Sequence, residues 1–89
     1  MKLICDFWVL NIVDAIGGRE VRFGEIEKSI PISPATLTNR LKKLEDQGVV
    51  VRHIETLDKQ SVTYALTKKG RDLLPIILAI KQFSEIHSI

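Results

Sequence analysis

At 89 residues, with 45% hydrophobic and 27% charged side chains, five glycines and three prolines, the chain has room for one folded domain and excludes a disordered or low-complexity tail. A monomer this small buries a modest share of its surface, so stability shared with a partner chain is expected. The balance of 13 Lys plus Arg against 11 Asp plus Glu, a net of +2, favours an anionic partner only weakly, so the placement of charge matters more than its sum.

From Leu3 to Ile16 the residues Leu3, Ile4, Phe7, Trp8, Val9, Leu10, Ile12, Val13 and Ile16 predict a helix that Gly17-Gly18 ends. Asp6, Asn11 and Asp14 interrupt its apolar run and no small-residue cleavage site follows, so a cytoplasmic protein is expected, neither exported nor membrane-spanning. Val21-Arg22-Phe23 reads as a very short strand or extended lead into a helix over 24–30, with Phe23, Ile26 and Ile30 inward and Pro31 as its stop. Ser33 as N-cap and Pro34 as first helical residue open a helix to about Asp46, with Leu37, Leu41 and Leu44 on its inner side and Gly48 ending it.

Val49 to Arg52 or Ile54 is β-branched enough for a strand, Leu57-Asp58-Lys59-Gln60 for a hairpin tip, and Ser61 to Leu66 for the return strand. Thr67 caps a last helix from Lys68 to about His87, in which Leu73, Leu74, Ile76, Ile77, Leu78, Ala79, Ile80, Phe83 and Ile86 take almost every angular position. Such a helix is expected to be buried all round, with Pro75 marking a kink inside it. The order α-α-α-β-β-α, mostly helical with a small β-hairpin, is that of a winged helix-turn-helix. It forms a single domain over 1–89, with 3–16 and 68–87 as core and dimerisation helices.

At about 100° per residue, the face of the Pro34 helix opposite its leucines carries Ala35, Thr36, Thr38, Asn39, Lys42, Lys43 and Asp46. Asn39 is the best candidate for reading an adenine edge, because its amide donates and accepts at once, while the methyls of Ala35, Thr36 or Thr38 suit thymine. Lys42 and Lys43 suit phosphates, Ser33 at the opposite, N-terminal end of the helix is a further DNA-contact candidate, and Arg40, at the rim of the buried stripe, reaches either a phosphate or a neighbouring carboxylate. A merely solvated helix face would also hold Lys, Asn and Thr. The turn before this helix and the hairpin after it favour the DNA reading. Arg52, His53 and Lys59 are expected around the hairpin tip, facing a minor groove or its flanking phosphates, with Glu55 and Asp58 weakening that patch; His53 is otherwise an ordinary surface residue. Glu45 and Asp46 oppose phosphate unless they lie at the far end of the inserted helix.

Cys5 has no partner for an internal disulfide and no metal-ligand set around it, so an inert thiol in a metal-free, cofactor-free fold is expected. A Gly-rich phosphate loop, a Ser-His-acid set and a cleft-forming carboxylate pair are all missing from the sequence, which argues against an enzyme. Phe7, Trp8, Leu74, Ile77, Leu78 and Phe83 exceed what one three-helix core covers, and they predict a homodimer interface.

Phe23-Gly24-Glu25-Ile26, the run from Ile32 to Val50, Val62 to Gly70, and Leu73-Leu74-Pro75 resemble, in order, the motifs of HxlR-type winged-helix transcriptional regulators. The resemblance covers nearly the whole chain. It implies a homodimer that pairs through its terminal helices and binds double-stranded operator DNA, with no effector named. The chain departs from that family at its N-terminal cysteine, which Cys5 does not match, and in its wing, where Glu55-Thr56-Leu57-Asp58-Lys59 replaces the usual prolines. The competing expectation is a winged-helix module that serves protein assembly without DNA.

Overall fold

A computed structural model describes residues 7–54 and 62–88. Val9, Ile12, Val13 and Ile16 recur at helical spacing and are the buried face of α1 (Phe7–Ile16), so this helix is the floor of the core. Gly17 ends it at φ +59°, the left-handed conformation that glycine adopts without steric cost, and its N–H donates to the Val13 carbonyl at 3.0 Å. The predicted residues Leu3 to Asp6 of this helix lie outside the described residues.

After β1 (Val21–Arg22), Phe23 opens α2 (Phe23–Ser29), one residue earlier than expected. The Glu25 carboxylate accepts from the Arg22 N–H at 3.0 Å, which fixes that start. Ile26 is buried, with Phe23 and Ile30 packed beside it. The Pro31-Ile32-Ser33 turn leads into α3 (Pro34–Asp46), whose bounds match the sequence reading. Ser33 Oγ accepts from the Thr36 N–H at 3.2 Å, and Pro34 takes a first-turn position that needs no donor. Leu37, Leu41 and Leu44 are buried. Gly48, at φ +72°, reverses the chain and lets Val49 N–H reach back to the Leu44 carbonyl.

The sheet has three strands in the order β1-β3-β2, all antiparallel. β2 (Val50–Ile54) pairs with β3 (Val62–Leu66) from Val50↔Leu66 to Ile54↔Val62, and β1 adds Val21↔Tyr64 and Arg22↔Thr63 on the other side of β3. The hairpin and the very short strand at Val21-Arg22 were both legible in sequence; the pairing of that strand with β3 was not. Val50 is buried and Val51 to Ile54 are exposed, so the hairpin is rooted in the core and leaves it along its length. The predicted tip, Lys59 included, lies outside the described residues.

The C-terminal expectation needs correction. Instead of one kinked helix there are two, α4 (Lys68–Arg71) and α5 (Leu74–His87), separated at Asp72-Leu73. Pro75 falls in the first turn of α5, where a missing N–H costs no hydrogen bond, so it starts a helix and does not bend one. Nor is α5 buried all round. Ile77 is covered and Leu74 is half-buried, whereas Ile76, Leu78, Ile80, Phe83 and Ile86 are 48–75% exposed.

This projecting helix accounts for the elongated shape, 47 × 25 × 23 Å, and for a radius of gyration of 13.3 Å against about 12 Å for a compact chain of this length. Among the described residues no helix is long and apolar enough to cross a membrane.

Candidate nucleic-acid interface

Because Leu37, Leu41 and Leu44 are held in the core, α3 must turn its other side outward, and Ala35, Thr38, Asn39, Lys42, Lys43 and Asp46 are exposed there. Asn39 keeps a defined orientation: its Oδ1 accepts from the Arg40 guanidinium at 2.7 Å. A carboxamide oxygen has a second lone pair and its NH2 remains a donor, so the amide retains the paired donor and acceptor that an adenine edge requires. Arg40, half-buried as its rim position implied, engages this amide. Ser33 and Thr36 are occupied differently. Ser33 Oγ donates to Thr36 Oγ1 at 2.9 Å as well as capping the helix, so these hydroxyls serve the local turn and leave the Thr36 methyl as its free apolar group.

The expected cluster of Arg52 and His53 at the hairpin tip is not what the strands produce. Arg52 pairs with Tyr64 and His53 with Thr63, both in the body of the ladder, and as sequence neighbours on a strand they face opposite sides of the sheet. Arg52 turns toward α3, where its Nε lies 3.3 Å from Glu45 Oε1. His53 turns away from α3 and meets the Glu20 carboxylate ahead of β1. Only Arg52 of the two therefore joins the α3 face.

Glu45, which the sequence suggested only as an opponent of phosphate, is the partner that fixes Arg52. Between them and Tyr64 lies a crevice of about 470 Å³, lined by Thr38, Leu41, Lys42, Glu45, Asp46, Arg52 and Tyr64. Burial first, and then the Glu45 carboxylate, push the Tyr64 phenol up from its usual value, with Arg52 pulling the other way. The phenol therefore stays neutral at physiological pH.

Sequence reasoning also missed two cations that close the back of the site. Lys69 Nζ donates to the Gln47 carbonyl at 2.8 Å, satisfying a free acceptor at the C-terminal end of α3, and Arg71 donates to the Leu66 carbonyl at 3.2 Å. Thr67 completes this joint. Its hydroxyl donates to the Gly48 carbonyl at 2.5 Å and accepts from the Gly70 N–H at 3.2 Å, while its own N–H donates to the Val49 carbonyl at 3.0 Å. The signal was present as Thr67-Lys68-Lys69-Gly70, a capping residue followed by basic ones, but the partner strand end could not be read from it.

Of the predicted interface residues, Phe7, Leu78 and Phe83 are more than half exposed, Trp8 and Leu74 are half-buried, and Ile77 is a core residue with 4% exposure. Phe7 and Trp8 meet edge to face at 5.2 Å. Between α1 and α5 runs a groove of about 190 Å³ lined by Phe7, Leu10, Asn11, Asp14, Ile77, Ile80 and Lys81, with the Lys81–Asp14 ion pair across it.

The HTH-type transcriptional regulator YvaP of Bacillus subtilis, itself uncharacterized, is 38% identical over 86% of this chain and 72% of its own length. An uncharacterized HTH-type regulator of Methanothermobacter thermautotrophicus is 30% identical over 90% of this chain, which spans 62% of that protein. Among solved structures, a protein assigned as a MarR-family transcriptional regulator from Porphyromonas gingivalis superposes with a TM-score of 0.89 at 34% identity, over 96% of this chain and 84% of that one. The reduced form of the redox regulator HypR also gives 0.89, at 31% identity, over 98% and 87%. The HxlR-like helix-turn-helix family model matches residues 3–88, and the chain belongs to that family.

Proposed function

We propose that the protein is a transcriptional regulator that binds double-stranded DNA as a homodimer, inserting α3 into the major groove. The observation that carries this reading is the outer face of α3: a capped helix with Ala35, Thr38, Asn39 and Lys42 exposed in one band and its carboxylates confined to the last turn. Asn39, oriented by Arg40, reads a base edge. Lys42 and Lys43 hold phosphates, Ala35 and the methyls of Thr36 and Thr38 meet thymine, and the hairpin, with Lys59, contacts the flanking backbone. That role requires a cytoplasmic location.

Pairing follows from α5. Ile76, Ile80, Phe83 and Ile86 form a stripe beside the buried Ile77, and with Phe7 of α1 they leave a row of large apolar side chains in water, the kind of surface that a partner covers. A second copy covering this stripe sets two α3 helices about one DNA turn, roughly 34 Å, apart.

Selection of genomic fragments with the purified protein, followed by footprinting, tests the reading. A two-fold symmetric protected site is the expected result, whereas recovery of no DNA would favour the protein-assembly alternative. On the recovered site, Asn39→Ala is expected to cost about 1–3 kcal/mol of binding while changing affinity for random duplex little. Lys42→Ala is expected to weaken both DNAs and to flatten the salt dependence. Equal losses for Asn39→Ala on the two DNAs would remove it from base reading.

A further inference from the structure

The crevice between α3 and the root of the hairpin is lined by two cations, Lys42 and Arg52, two carboxylates, Glu45 and Asp46, and the hydroxyl of Thr38, on the side of α3 proposed to meet DNA. In this crevice the two cations and the hydroxyl suit a backbone phosphate, and the two carboxylates oppose one. Within it, however, Arg52 is already engaged by Glu45 at 3.3 Å, with the Arg52 side chain 49% exposed and that of Glu45 only 28%. Glu45 stands in the last turn of α3, where the helix dipole disfavours a carboxylate, and beside a surface that must approach polyanionic DNA. Its position is costly on both counts. Arg52 offsets the cost by approaching from the next strand, seven positions along the chain and across the Gly48 reversal.

We propose that Glu45 is an affinity-setting residue: it occupies the guanidinium of Arg52 and so withholds one phosphate contact that the crevice is otherwise built to make. The inference rests on the DNA-binding reading and adds to it a residue that limits binding. A phosphate contact carries no sequence information, so withholding it weakens the hold on all DNA alike and shortens residence on non-specific sequence, leaving Asn39 and its neighbours to discriminate.

The test is a salt series of binding titrations on a random-sequence duplex of about three helical turns, with wild type, Glu45→Gln, Arg52→Gln and the double variant. Glu45→Gln is expected to bind roughly fivefold tighter near physiological salt, with a log–log salt slope steeper by about one per protomer. Arg52→Gln, which uncovers the Glu45 carboxylate, is expected to bind more weakly at the wild-type slope, and the double variant to regain wild-type affinity without the steeper slope of Glu45→Gln. Three results would overturn the proposal: a shallower slope for Arg52→Gln alone, an equal steepening of the slope by Glu45→Gln when Arg52 is already absent, or weaker binding by Glu45→Gln. A Glu45→Gln protein that melts far below wild type would make the pair a structural strut and overturn it too. Failure of wild type to bind any duplex would instead sink the DNA reading on which this one stands.

Discussion

Gly70→Ala should destabilise the domain by at least about 3 kcal/mol, lowering its melting midpoint by well over 10 °C. Gly70 is buried where α4 crosses the chain leaving α3, and a Cβ built on it comes 2.2 Å from the Val49 carbonyl oxygen, with two Leu66 side-chain atoms at 3.2 Å. That oxygen cannot yield easily, because it accepts the Thr67 N–H at 3.0 Å and lies at the root of β2. Relief would require moving α4 off the strands, which breaks the Thr67 and Lys69 contacts to the end of α3. Gly24 supplies the control. A Cβ there meets nothing within 4 Å, so Gly24→Ala is expected to be neutral or slightly stabilising. Thermal unfolding of both variants checks the argument, and similar midpoints for the two would refute it.

Phe83→Glu should convert the proposed dimer to a folded monomer, raising its dissociation constant at least about a hundredfold and lowering affinity for a two-half-site operator by a similar factor. Phe83 is 54% exposed and its ring lies tilted against that of His87, with centroids 4.4 Å apart, far along α5 from the core. A charge placed there is solvated in the monomer and stranded in the apolar stripe only when a second copy covers it. Ile77, six positions earlier and 4% exposed, distinguishes assembly from folding: Ile77→Glu is expected to unfold the chain itself. Sedimentation equilibrium with circular dichroism separates the two effects. A wild-type protein that is monomeric at micromolar concentration yet binds both half-sites with full affinity would end the dimer reading.

The readable parts of the sequence were those whose cause is local. Ser33-Pro34 and the leucines at 37, 41 and 44 specify α3 from within thirteen residues, and Gly17 and Gly48 mark helix ends through their own backbone. What sequence could not supply depended on where separate segments meet. The break at Asp72-Leu73 puts Pro75 in the first turn of α5, so a proline that reads as an interior kink in the sequence is a helix start. Arg52 and His53, adjacent in sequence, pointed to a shared role, and strand alternation sends one to Glu45 and the other to Glu20. The apolar surplus of α5 was legible, but a single chain leaves most of it uncovered, with Ile77 alone buried on that helix.

The hairpin's attachment has a consequence for its motion. Its ladder is fastened at one end, where Val50 and Leu66 are buried and the Val49 carbonyl is held by Thr67, and it loses cover toward Ile54 and Val62, where Ile54 is 59% exposed. Amide hydrogen exchange should therefore run as a gradient, slowest beside Val50 and Leu66 and fastest beside Ile54 and Val62. The outer rungs can open and re-form while the inner ones stay shut, so the outer end of this arm can shift without disturbing the seating of the helix beside it.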